Sequence, residues 1–168
     1  ANPTGATLTL ARRRALLQWA LRRRVFLVED DPYGELRIDG TAPPPLIALA
    51  RELPGAEQWC GYVSTLSKVV SPGLRIGFAV LPPWLREAVV RAKQALDLHT
   101  ASLAQEVADR YLRSGRLPER LRLTCATYRQ RRDALCDALA AAFGDCLRFQ
   151  RPDGGMFVWA RFADGTDT

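Results

Sequence analysis

Residues 8–24, LTLARRRALLQWALRRR, place Leu10, Leu16, Leu17, Ala20 and Leu21 at helical spacing, with Thr7 or Thr9 available to cap the start. The period then changes. VFLVE, 25–29, is a short run of β-forming residues that predicts a buried parallel strand. DDPYG breaks it at its carboxyl end, and Pro43, Pro44 and Pro45 mark a loop. WCGYVST, 59–65, and RIGFAVL, 75–81, predict a second and a third strand. Pro82 and Pro83 open a helix that runs to about Leu98, and two further helical stretches, 101–114 and about 118–142, are split by SGRLP. CLRFQ, 146–150, and MFVWARF, 156–162, predict strands joined by RPDGG, whose residues suit a tight reversal. Neither an internal repeat nor a low-complexity tract interrupts this order.

Helix and strand alternate first, long helices follow, and a hairpin-like pair comes last. That order predicts an α/β domain, a mostly parallel sheet flanked by helices, followed by the start of a smaller α+β layer. The seam falls near residue 115, giving units of 1–115 and 116–168. Two strands and one helix make a thin core, so the second unit reads as incomplete, while 168 residues suit one domain or one and a half. The chain opens on ANPTG without a methionine, so its natural start is expected elsewhere.

Charge narrows the function classes. The formal net charge is +6 and the pI near 9.6, which admits a nucleic-acid partner. The arginines, however, are scattered at 12–14, 22–24 and 110–132 between acids such as Glu106, Asp109, Glu119 and Asp133, which reads as solvated helix faces. No apolar run approaches the roughly 18–20 residues needed to span a bilayer, and no secretory signal is visible. Cys60, Cys125, Cys136 and Cys146 form no C-x-x-C pair and have only His99 to join them, which argues against zinc and for reduced thiols in a cytoplasmic protein.

The lysines carry more information. Lys68 and Lys93 are the only two among 24 basic residues. Arginine is permanently charged, whereas lysine can lose its proton and act as a nucleophile. Lys68 sits in STLSKVVSPGLRIG, with three hydroxyl residues close by. In open α/β sheets the ligand lies beyond the carboxyl ends of the strands, and EDDPY, STLSK and the initial NPTG are expected along one such edge. Together they offer an amine (Lys68), hydroxyls and a fixed cation for a phosphate (Thr65, Ser67, Arg75), a buried carboxylate (Asp30), a phenol (Tyr33) and an amide (Asn2). That set fits pyridoxal 5′-phosphate, whose aldehyde condenses with lysine and whose ring nitrogen needs an acidic partner. Taken singly, each residue has another use: Asp30 could cap a turn before Pro32, Tyr33 could be a core aromatic, Asn2 could serve its turn, and Gly154 and Gly155 could serve only the reversal.

The motifs NPTG at 2–5, EDDPYGEL at 29–36, STLSKVVSPGLRIGF at 64–78 and RPDGGMFVW at 151–159, in this order, resemble the fold-type I, pyridoxal-phosphate-dependent aminotransferases of class I/II. AKQALDLHTASLAQ, 92–105, resembles the 2-aminoadipate and kynurenine aminotransferase subgroup, which also includes the aminotransferase-like domains of MocR-type regulators. The resemblance spans nearly the whole chain. It implies that Lys68 forms the Schiff base with the cofactor and shuttles the proton, that Asp30 pairs with the ring nitrogen, and that Tyr33 and Asn2 hydrogen-bond the 3′-oxygen. It further implies that Thr65, Ser67 and Arg75 hold the phosphate, that the substrates are an amino acid and a 2-oxo acid, and that the full-length protein is a homodimer. On this resemblance 1–115 is the C-terminal part of a large cofactor-binding domain and 116–168 the beginning of a small one.

The family's glycine-rich phosphate loop, its ring-stacking aromatic and its substrate-carboxylate arginine are expected outside this chain. Arg161 takes none of those roles. The 168 residues alone are therefore expected to bind cofactor weakly and to show little transamination. Two other functions stay open: the effector domain of a MocR/GntR-type regulator, which would bind nucleic acid only through an upstream winged-helix domain, and a lyase or decarboxylase on the same fold. The sequence leaves the substrate's side chain undetermined.

Overall fold

The structure, a computed structural model, describes residues 2–163. The chain divides into two compact units, a sheet unit of Leu8–Pro32 and Pro43–Leu117 and a long-helix unit of Ala1–Thr7, Tyr33–Ala42 and Pro118–Thr168.

In the sheet unit, helix α1 covers Leu10–Arg23. Thr9 caps it, its hydroxyl accepting the Arg12 N–H at 3.3 Å. The helix stops at Arg24, which takes the left-handed conformation at φ 53°. Leu17 and Ala20 face inward, and Leu17 joins Leu46, Leu49, Ala50, Ala56 and Cys60 in one core cluster. Leu46–Ala50 form the short helix α2.

Strand β1 (Leu27–Asp30) lies parallel to β2 (Cys60–Thr65), with Leu27 opposite Cys60 and Asp30 opposite Val63. Strand β3 (Gly77–Val80) pairs with β2 antiparallel, Thr65 opposite Gly77. The sheet order is β1-β2-β3. A parallel third strand would need a crossover of about a dozen residues or more, usually helical; residues 66–76 return directly and set β3 antiparallel. β1 differs from its expected character. It alternates between half-buried and exposed, Val28 being 55% exposed, because the groups that meet it, from α1 and α2, engage the face that carries Glu29. Helices α3 (Pro83–Asp97) and α4 (Ser102–Arg113) follow; Pro83 stands in the first turn, where its missing N–H costs no bond. α3 buries none of its residues, and Leu96, Leu98 and Leu103 are strongly exposed.

The long-helix unit is built on α5 (Leu117–Phe143) and the antiparallel pair β4 (Leu147–Phe149) and β5 (Ala160–Phe162). RPDGG is not the tight reversal that the turn residues predict. The backbone of 153–155 pairs instead with 36–39: Ile38 and Asp39 both donate to the Asp153 carbonyl, at 2.8 and 2.9 Å, and Gly155 donates to Leu36 O at 2.9 Å. An isolated bridge joins Arg37 to Gly154. These bonds draw the chain away from β4, so the last strand begins at Ala160 rather than Met156.

All four cysteines are free. Cys60 is fully buried, and burial together with the nearby Glu29 charge pushes its thiol up to about 11. The thiolate is the reactive form. At pH 8 an aromatic disulfide reagent should therefore label exposed Cys146 first and leave Cys60 intact until the chain unfolds; native labelling of both at similar rates would contradict this.

Candidate active site

The parallel pairing of β1 and β2 brings their carboxyl ends to one edge of the sheet, placing Asp30 beside the segment that leads from Thr65 to Lys68. After β2 the chain turns through 66–70. Leu66 is buried, its N–H donates to Ile76 O at 3.0 Å, and its carbonyl accepts Val70 N–H at 2.8 Å and Ser71 N–H at 3.1 Å. Thr65 reinforces the same turn: its hydroxyl donates to Ile76 O at 2.8 Å, accepts Ser67 N–H at 3.1 Å and lies 2.9 Å from the Ser67 hydroxyl. Lys68, half-buried, rises from this braced turn. The turn fixes the lysine's backbone, which is what a positioned nucleophile requires.

Arg75 closes the segment in the left-handed region, φ 53° and ψ 42°, at the end of the turn Pro72–Leu74. For a residue with a Cβ this conformation costs roughly 1–2 kcal/mol. The return into β3 imposes it, and the guanidinium stays exposed, donating to Pro72 O at 3.3 Å. One turn thus carries an amine, two hydroxyls and a cation.

Asp30 is exposed, where the sequence led us to expect a buried carboxylate. Strand alternation is the reason. Glu29 takes the helix-covered face, meeting Arg13 of α1 and the Leu46 N–H at the start of α2, and Asp30 necessarily faces the other way. Asp31 serves the turn: its N–H donates to Val63 O at 3.0 Å and its carbonyl accepts the Ser64 hydroxyl at 2.8 Å.

Asn2 and Tyr33 belong to the long-helix unit. Asn2 is exposed, and Gly5, which ends its turn at φ 71°, packs so closely that a Cβ there would stand 2.7 Å from Pro152 Cβ. Tyr33 is half-buried, and its ring meets Phe157 edge-on at 5.6 Å. Sequence reasoning passed over Glu29, Phe157 and the carboxylate Asp39. It also placed Arg132 on a solvated helix face, whereas Arg132 is 8% exposed and bonded to Asp39. Arg13 of α1 departs in the same way, its side chain 11% exposed and paired with Glu29, whereas the exposed pairs Arg110–Glu106, Arg113–Asp109 and Arg122–Glu119 do conform. A signal for Arg132 existed: Arg132, Cys136 and Leu139 recur at helical spacing, so Arg132 shares a helix face with apolar residues.

Residues 1–167 match the family model "Aminotransferase class I and II". The chain belongs to this family. It is 37% identical, over 99% of its own length and 39% of the relative's, to aromatic-amino-acid aminotransferase 1 of Thermococcus litoralis. The crystal structure of LysN, the alpha-aminoadipate aminotransferase of Thermus thermophilus, superposes with a TM-score of 0.91 at 40% identity, covering 98% of this chain and 41% of that one. That protein was solved with N-(5′-phosphopyridoxyl)-L-leucine. An uncharacterized HTH-type transcriptional regulator of Bacillus subtilis is 32% identical over 96% of this chain and 32% of its own. The chain thus spans about two fifths of the length of the aminotransferases it matches. Its architecture is that of the fold-type I aminotransferases, and the family's cofactor is pyridoxal 5′-phosphate.

The donor set fits that cofactor. Thr65, Ser67 and Arg75 could offer hydroxyls and a cation to its phosphate, Lys68 an amine to its aldehyde, and Asp30, on the neighbouring strand end, a carboxylate to its ring nitrogen. Among the described residues no cluster of three His, Cys, Asp or Glu side chains could hold a metal, and no helix is long and apolar enough to cross a membrane.

Proposed function

We propose that the whole protein moves an amino group between an amino acid and a 2-oxo acid, with Lys68 as its covalent and proton-transferring residue. The placement of Lys68, Thr65, Ser67 and Arg75 on one braced turn beside Asp30 carries this reading. Bound here, pyridoxal phosphate supplies the electron sink for the charge left at the substrate's Cα. Lys68 tethers the cofactor through its amine and then carries the proton to and from Cα. Thr65, Ser67 and Arg75 fix the phosphate, Asp30 keeps the ring nitrogen protonated, and Asn2 and Tyr33 donate to the 3′-oxygen.

Residues 1–115 are proposed as the C-terminal part of a large cofactor-binding domain and 116–168 as the start of a small one, with the segments up to Thr7 and Tyr33–Ala42 grouped with the latter in one compact unit. The parent is proposed to be a cytoplasmic homodimer: its thiols are free, and the exposed apolar residues of α3 and the segment after it are the kind that an assembled protein covers. The likeness to the Bacillus regulator favours one second reading, an effector domain behind a DNA-binding module, and sequence-specific DNA binding by the parent would support it.

Borohydride treatment of the parent with pyridoxal phosphate tests the site. The visible band should bleach and leave a stable adduct on the peptide that contains Lys68. No band, or an adduct on Lys93, would overturn the assignment.

A further inference from the structure

We propose that Arg132 and Asp39 are positioning residues that set Tyr33 through the loop 152–157; this rests on the reading of Tyr33 as the donor to the cofactor's 3′-oxygen. Arg132 sits on α5 with its side chain 7% exposed. Its guanidinium donates to the Asp39 carboxylate, to Pro152 O at 2.8 Å and to Asp133 at 2.8 Å. Arg129 meets the same Asp39 and also the Ile38 carbonyl. Arg151 in turn joins Asp133 and Asp137 at 2.7 and 2.8 Å. One buried cation therefore fastens the segment 38–39 and the loop at Pro152 to the same point of the long helix.

Tyr33 stands at the far side of this clamp. Asp153 O accepts both Ile38 and Asp39, and Gly155 donates to Leu36 O. Gly154 allows that approach, because a Cβ there would stand 2.8 Å from the Leu36 carbonyl. Leu36 in turn donates to Tyr33 O at 2.9 Å, and Phe157, leaving the loop, meets the Tyr33 ring at 5.6 Å and 86°. Tyr33 is thus held from its backbone and from its ring by the two segments that Arg132 ties together. The Asn2 turn rests on the same loop through Gly5 and Pro152. A mere surface ion pair would not need a desolvated arginine that spans a carboxylate and a carbonyl, a geometry lysine's single ammonium cannot reproduce.

A donor at the 3′-oxygen stabilises that oxygen's negative charge, so losing or misplacing it raises the chromophore's affinity for a proton. The test uses the full-length parent loaded with pyridoxal phosphate and reads the pH midpoint of its visible absorbance alongside thermal melting. Tyr33→Phe should raise the midpoint by about one unit, the size of one charge-assisted hydrogen bond. Arg132→Lys and Asp39→Asn should raise it in the same direction, and neither should add to the shift in a Tyr33→Phe background. Glu119→Gln, in an exposed pair on the same helix, should leave it unchanged. If Arg132→Lys fails to fold, the milder Asp39→Asn carries the test. Variants that melt earlier but keep the wild-type midpoint, or whose shifts add to that of Tyr33→Phe, would overturn the positioning role while leaving the aminotransferase reading intact. A wild-type protein with no visible band would overturn both.

Discussion

Lys68→Ala in the whole protein should lower amino-group transfer by on the order of 10³-fold or more. In the proposed reading one side chain supplies both the amine that holds the cofactor and the base that moves the Cα proton, and the second task alone is typically worth about 10²–10⁴-fold. Lys68→Arg should fail as badly, because a guanidinium stays charged and cannot attack an aldehyde. The other lysine is the control. Lys93 lies on α3 with its ammonium held by both oxygens of Asp97 at 2.8 Å, one helical turn away, in an exposed pair. Lys93→Ala should leave turnover unchanged. The measurement is kcat/KM with a saturating oxo acid, read beside cofactor content so that loss of binding and loss of chemistry separate. A Lys68→Ala protein that keeps more than about a tenth of wild-type turnover with cofactor bound would contradict the assignment, since that is far less than the loss of a general base costs.

The contrast between the two lysines is legible in the amino-acid order itself, because a chain that fills its basic positions with arginine singles out Lys68 by its hydroxyl neighbours. The strands that deliver it are legible for the same kind of reason: WCGYVST reads as a strand from its β-formers, and its polar end reads as a site. What escapes the sequence is tertiary in origin. β-propensity cannot tell whether a three-residue or a seven-residue stretch of MFVWARF will pair, because the outcome depends on 36–39 capturing the backbone of 153–155. Nor could local composition reveal that RPDGG is a clamp. Its glycines fit a reversal equally well, and only the 2.9 Å bond from Gly155 N–H to the carbonyl of Leu36, far back in the chain, distinguishes the two. The exposure of Asp30 escapes the sequence because strand alternation gives two faces but does not say which face the helices cover.

Glu29 decides that question, and its removal should have the largest effect on stability. Glu29 and Arg13 form an ion pair whose side chains are only 10% and 11% exposed, and the second Glu29 oxygen accepts the Leu46 N–H at the start of α2. One carboxylate thus joins β1, α1 and α2, the three elements around the core of Leu17, Leu46, Leu49 and Cys60. Truncating one partner of such a pair leaves a buried guanidinium and an orphaned helix N–H, a loss of roughly 3–5 kcal/mol, with the lower end expected for the slight exposure here. Glu29→Ala should therefore lower the unfolding free energy by about 3 kcal/mol in a urea titration. Glu29→Gln should cost less, because its amide oxygen still accepts one donor. Arg13→Met also leaves a nearly buried charge unpaired, but it should cost less than Glu29→Ala because it spares the bond to the Leu46 N–H. A Glu29→Ala loss below about 1 kcal/mol, the range of surface pairs, would mean that water already reaches this pair and that packing alone orients β1. The functional consequence follows from alternation: whatever loosens Glu29 on the covered face also frees Asp30 on the open one, so cofactor affinity should fall with stability across this series, whereas Lys68→Ala should leave stability nearly intact.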